Sequence, residues 1–469
     1  MLQALRAREV SSVELVEMHL ARIEALDGPL NAIPVRTPER ALEAARRADA
    51  AIAKGESTPM LGLPMTLKES TQVAGLAQSA GLLPLKDYRP EADGPIATSV
   101  FEAGACLLGK TNIPVGLSDW QSNSPVYGRT NNPWNPERTP GGSTGGGAAA
   151  LATGMTPLEI GSDIGGSIRV PAAFCGVYGH RPSMSALPRA GAFPLADLPN
   201  PGAVLAVQGP LARSAADLEL LFDVVAGPAR DDGLAWHLEL PPSRQNQLAD
   251  FRVAVMPPLP WVQPAREMQA RLDELAAFLS RQGAKVAPVM PALDLDQYFR
   301  DYLCLLMVET SAGMTREDRE AAAASLSSSG TVLDAQAEGF TLDAAGHLAL
   351  LRRRARAREA WRAFFDDWDV LISPMALDAA FPHQEGVQAQ RVLPVDGEEV
   401  PYMMEIVYSM WAIFAGLPAT AFPAGLDSAG LPLGLQAIGP NLEDRTTLRF
   451  AQILEREWQG FQPPPAYAV

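Results

Sequence analysis

The segment TPGGSTGGGAAALATGMTPLEIGSDIGGSIRVPAAFCGVYGHRP, residues 139–182, restricts this chain more than any other stretch. Gly, Ala and Ser dominate it, and its charges are confined to Glu159, Asp163, Arg169 and Arg181. Small side chains allow close backbone approach, and glycine permits turns that a Cβ forbids. The Ala-rich run 147–153 is therefore predicted to form a helix packed tightly on a sheet, with glycine turns on either side.

Ser143 and Ser167 both fall in those turns, 24 residues apart, with a short helix and strand between them. That spacing lets the two turns meet at one cleft. The run Asp163-Ile164-Gly165-Gly166-Ser167 offers consecutive backbone N–H groups just before a hydroxyl, an arrangement suited to the oxyanion that develops in acyl transfer.

A serine nucleophile needs a base. The five histidines, His19, His180, His237, His347 and His383, lie in helix, turn or charged loop text and read as surface or satisfied side chains. Lysine is the other choice, and the chain has five. Arginine keeps its proton in a protein, whereas a lysine desolvated among apolar neighbours loses its proton more easily. Lys68 in PMTLKES fits this description; an ordinary strand-end lysine paired with Glu69 fits the same local text.

Around the block, helices and strands interleave. Ser11 and Glu14 form a capping box for a first helix, a second opens at Thr37-Pro38, and residues 61–70 read as a buried strand. Residues 99–112 read as helix end, turn and strand, and 118–140 as a long polar loop. Helix then strand is predicted over 271–289, a helix over 343–366, a strand over 369–375, and strand, loop and helix over 430–457. The uncharged run 406–426 is broken by Gly416, Pro418, Pro423 and Gly425, which favours a buried strand-and-turn segment over a membrane span. With no repeat and no long linker, residues 1–469 read as one α/β domain: a core over 60–230, a region over 230–365, and C-terminal strands and helix over 366–469.

A net charge of -16 argues against nucleic acid and anionic membrane as partners, since both require clustered Lys and Arg. Cys106, Cys175 and Cys304 are too scattered for a disulfide framework or a zinc site, and Cys175 reads as a small buried hydrophobe. The charged amphipathic N-terminus carries no secretory pattern, so a cytoplasmic location is expected.

Ser143 in GGSTGG, Ser167 in GSDIGGSIRVPAAFCGVYG and Lys68 in GLPMTLKES resemble the three catalytic segments of the amidase signature family. The resemblance continues through FEAGACLLGKTNIP (101–114), GRTNNPWNP (128–136), QGPLARSAADLELLFDVVAG (208–227), DVLISP (369–374) and GLPLGLQAIGP (430–440). It implies a single large domain with a central twisted mixed β-sheet covered by helices on both faces. It also implies Ser167 as nucleophile, Ser143 as a bridging serine after a cis peptide bond from Gly142, and Lys68 as base. The oxyanion hole would be the N–H groups of Ile164, Gly165, Gly166 and Ser167, with Gly142, Thr144, Asp163 and Arg169 in support.

The implied activity is hydrolysis of a small-molecule amide without metal or organic cofactor; a homodimer is left open. Trp120 and Tyr127 in SDWQSNSPVYG are candidates for the acyl side of the pocket or, equally, for packing anchors. Residues 230–365 match only loosely, and substrate specificity is expected there. Thr144, Glu69 and Arg181 stand where the family commonly has Ser, Asp and Lys, and none of these departures removes a catalytic hydroxyl or amine.

Four other readings compete. Residues 104–111, GACLLGKT, match the P-loop pattern, but Ala, Cys and Leu at its variable positions favour a buried strand. GGSTG at 141–145 matches the nucleophile elbow, which must follow a strand, whereas polar, proline-rich text precedes it here. An amidase-like component of a glutamine-dependent amidotransferase complex and a catalytically degenerate amidase-like protein complete the set.

Overall fold

Eleven short strands assemble into one sheet in the computed structural model, which describes residues 1–195, 205–228, 232–326 and 328–468. In chain order they are β1 (Val35–Arg36), β2 (Pro64–Lys68), β3 (Cys106–Thr111), β4 (Leu158–Asp163), β5 (Tyr178–Arg181), β6 (Val207–Ala212), β7 (Arg252–Val255), β8 (Lys285–Pro288), β9 (Val370–Pro374), β10 (Ala419–Leu426) and β11 (Pro432–Ile438). Their order across the sheet is β1-β3-β2-β4-β6-β5-β10-β11-β9-β7-β8. The sheet is mixed: β3, β2 and β4 run parallel, as do β9, β7 and β8, while β4, β6, β5, β10, β11 and β9 pair antiparallel.

Side chains alternate between the two faces of a strand, so a strand buried at every position is covered on both sides. β2, β3, β5, β6, β9 and β11 are buried at every residue, which places helices and loops against both faces of the sheet. This is the expected α/β architecture. The Ala-rich run forms the helix Gly145–Ala152, fully buried, and the capping box at Ser11 and Glu14 is present.

The segment 104–111 enters the sheet as β3 with no exposed residue from Cys106 onward, which leaves no phosphate loop. Ser143 follows a strand-free stretch rather than a strand, so the nucleophile-elbow reading also fails. One expectation needs correction: the run 406–426 holds a short helix, Met410–Ala415, before β10. Every residue of that helix is buried, so its sequence shows no amphipathic period, and its end is marked only by Gly416 at φ 74°. Pro423 is tolerated inside β10 beside a register shift between Pro423 and Leu426.

Candidate active site

Lys68 is the last residue of β2 and is fully buried. Its Nζ donates to Ser143 Oγ at 2.7 Å, Thr144 Oγ1 at 3.1 Å and Ser162 Oγ at 3.0 Å. Ser162 sits on the neighbouring strand β4, while Ser143 and Thr144 lie just ahead of the Gly145–Ala152 helix. The peptide bond Gly142–Ser143 is cis. Close packing brings these parts together: a Cβ on Gly147 would lie 2.6 Å from Glu159 Cγ, and one on Gly161 would lie 2.6 Å from Thr144 Cγ2. The Thr144 methyl thus fills the space over Gly161, so threonine is accommodated where serine is common in the family.

The alternative pairing of Lys68 with Glu69 is not formed. Glu69 leaves the strand on the opposite side, and its carboxylate accepts from Ser79 N at 2.6 Å, Ser79 Oγ at 2.7 Å, Ala80 N at 3.0 Å and Tyr127 Oη at 2.7 Å. Burial pushes the Lys68 amine down to about 7, against the opposing pull of Glu159 and Asp163. Burial pushes the Glu159 carboxyl up to about 8, against the hydroxyls of Thr111, whose Oγ1 donates to it at 2.6 Å, and Thr66.

Ser167 stands at the turn between β4 and the helix Arg169–Cys175, 5% exposed against 1% for Ser143, so it is the more accessible of the two hydroxyls. The two serine turns touch through Thr144 N donating to Ser167 O at 3.2 Å. Among the described residues no hydrogen bond engages Ser167 Oγ. Asp163 braces this turn: Gly166 N donates to its Oδ1 at 3.0 Å, Ile168 N to its Oδ2 at 3.2 Å, and Arg169 to both oxygens at 3.0 and 3.1 Å. Burial alone would raise the Asp163 carboxyl, but Arg169 and Arg181 outweigh it and hold the group below the usual aspartate range. Arg169 extends the brace to Gln436 Oε1 at 2.6 Å and Ser409 O at 3.1 Å.

Since Gly166 N–H is already given to Asp163, it drops out of the expected oxyanion set, which leaves Ile164, Gly165 and Ser167 without acceptors among the described residues. Neither aromatic candidate presents its polar group to an open pocket. The Trp120 indole donates to Gly165 O at 2.8 Å, making it an anchor of the Ser167 turn, and the Tyr127 hydroxyl is turned to Glu69.

His180 is a satisfied core residue between Thr420 Oγ1 and Asp444 Oδ1, and Arg181 donates to the carbonyls of Pro182, Leu205 and Leu417. Cys175 is buried, and burial raises its thiol. Two residues were missed from sequence. Ser162 lay inside the glycine-rich block but comes beside Lys68 only through the parallel pairing of β2 with β4, and Tyr302, which donates to Ile164 O at 2.9 Å, lies in the loosely matching region and gave no signal.

The chain belongs to the amidase signature family, whose Amidase model matches residues 14–448, and is thereby a hydrolase that acts on carbon–nitrogen bonds. Among similar proteins is a component of the glutamyl-tRNA(Gln) amidotransferase of Synechococcus sp. (strain WH7803), 32% identical over 97% of this chain and 95% of that protein. The indoleacetamide hydrolase of Bradyrhizobium diazoefficiens is 31% identical over 96% of this chain and 84% of its own length. A bacterial aryl acylamidase of the amidase signature family has a similar structure, with a TM-score of 0.81 and 25% identity over 98% of this chain and 95% of that one. Among the described residues no group of His, Cys, Asp and Glu is placed to hold a metal ion, and no helix is long and apolar enough to cross a membrane.

Proposed function

We propose that the chain hydrolyses a small linear carboxamide through an acyl-enzyme on Ser167. Ser167 Oγ attacks the carbonyl carbon, its proton passes to Ser143 Oγ, and the Ser143 proton passes to neutral Lys68 Nζ. The N–H groups of Ile164, Gly165 and Ser167 hold the tetrahedral oxyanion. When the carbon–nitrogen bond breaks, the Lys68 ammonium returns the proton through Ser143 to the leaving nitrogen, releasing ammonia or an amine. Water then attacks the ester by the same relay and releases the carboxylate.

The observation that carries this reading is the 2.7 Å contact between Ser143 Oγ and a fully buried Lys68 Nζ. A buried amine surrounded by hydroxyls, with no carboxylate in contact, favours the neutral base over the cation. The test is a hydrolysis screen over short and long acyl amides and anilides, with both products identified and Ser167→Ala as control. Turnover undiminished in that variant would end the assignment.

The similarity to an amidotransferase component supports a second reading, in which ammonia from glutamine passes to a partner enzyme. Glutaminase activity stimulated by tRNA and ATP, together with a co-purifying partner, would select it.

A further inference from the structure

A peptide plane carries its C=O and N–H in opposite directions, so fixing one aims the other. Across residues 164–167, three carbonyls are tied down: Ile164 O accepts from Tyr302 Oη at 2.9 Å, Gly165 O from Trp120 Nε1 at 2.8 Å, and Gly166 O from Val170 N at 2.7 Å. The first bond aims the Gly165 N–H, the second the Gly166 N–H and the third the Ser167 N–H. The middle plane is held at both ends, because Gly166 N–H closes on Asp163 Oδ1 at 3.0 Å. The outer two are held only at their carbonyls, and their N–H groups have no acceptor among the described residues.

Two adjacent glycines give this turn little resistance to peptide rotation, so the direction of each N–H depends on what grips the carbonyls. Both ring donors are themselves buried and packed. Tyr302 is fully buried on the helix Leu295–Thr310. The Trp120 ring lies 5.3 Å from that of Tyr402, whose hydroxyl donates to Asp119 Oδ1 at 2.5 Å.

We propose that Tyr302 and Trp120 are positioning residues for the oxyanion site: they grip the Ile164 and Gly165 carbonyls so that the Gly165 N–H faces the reacting oxygen while the Gly166 N–H stays on Asp163. The inference rests on the acyl-enzyme reading above. It places one determinant of the reaction rate, rather than of substrate choice, in the 230–365 region.

A fluorophosphonate probe tests it without knowledge of the natural amide. Ser167 Oγ forms a bond to phosphorus, fluoride leaves, the serine proton goes to the Lys68 relay, and the phosphoryl oxygen occupies the oxyanion site. Tyr302→Phe and Trp120→Phe, with folding checked by thermal unfolding, are expected to slow the maximal labelling rate about 10-fold or more while the probe concentration at half-maximal rate stays within about threefold. Either folded variant labelling at the wild-type maximal rate, or losing only probe affinity, overturns the proposal. Wild type that takes no label at Ser167 overturns the acyl-enzyme reading instead, which keeps the two failures apart.

Discussion

Lys68 Nζ lies 2.7 Å from Ser143 Oγ, and no carboxylate touches the amine. An ammonium has three N–H groups for the three hydroxyls around it, and a neutral amine has two and a lone pair that can accept from one of them. Hydroxyls, which both donate and accept, suit either form. The site can therefore host both protonation states of the amine that is proposed as the base.

A pH dependence follows from the proposed base. Burial holds Lys68 at about 7, and only its neutral form accepts a proton, so activity is lost as pH falls through that value and is retained above it. The kcat/KM profile is expected to rise to a plateau with a midpoint near about 7. A flat profile from acid to alkaline pH would contradict the assignment.

Glu159 and Lys68 titrate as a buried, coupled pair: burial raises the carboxyl and lowers the amine, and the carboxylate, where ionised, pulls the amine back up. An amide in place of the carboxyl removes that pull, so Glu159→Gln is expected to move the midpoint of the profile to lower pH. A midpoint that stays in place would show that Glu159 exerts no charge on the amine.

The relay should fail as a unit. Ser143→Ala and Lys68→Ala are each expected to lower kcat about 10³-fold or more, and the double variant is expected to lie within about tenfold of the worse single one. Losses that multiply in steady-state kinetics would show that the two residues act independently.

Gly147 opposes helix propensity for the sake of packing. Alanine there favours the helix by about 1 kcal/mol, yet its Cβ would lie 2.6 Å from Glu159 Cγ, and overpacking costs about 1–3 kcal/mol. Gly147→Ala is therefore expected to lower stability in chemical denaturation, and a stabilised variant would contradict the packing argument.

The brace behind Ser167 is a fully buried ion pair. Asp163→Asn leaves Arg169 charged and fully buried, a loss of about 3–5 kcal/mol. It is expected to lower Tm and turnover together. For the wild type the sign is that of a carboxyl held low: the brace stabilises above the ordinary aspartate pKa and is lost as pH falls through its depressed folded value.

Local text was enough for the interleaved α/β pattern, for buried strands within 61–70 and 99–112, which the structure bounds at Pro64–Lys68 and Cys106–Thr111, and for the glycine turns that carry Ser143 and Ser167, because periodicity, glycine turns and small residues are local properties. It misjudged 406–426, where a helix buried on all sides has no period to detect. Tertiary structure alone decided which carboxylate takes which partner: Glu69 turned to Ser79, Ala80 and Tyr127, Asp163 took the Gly166 N–H, and Trp120 became an anchor. The directions of the peptide N–H groups and the lowering of the Lys68 amine by burial were settled the same way. Hydrogen bonds and desolvation depend on atoms brought close from distant parts of the chain, such as Tyr302 against Ile164, and no local pattern encodes that proximity.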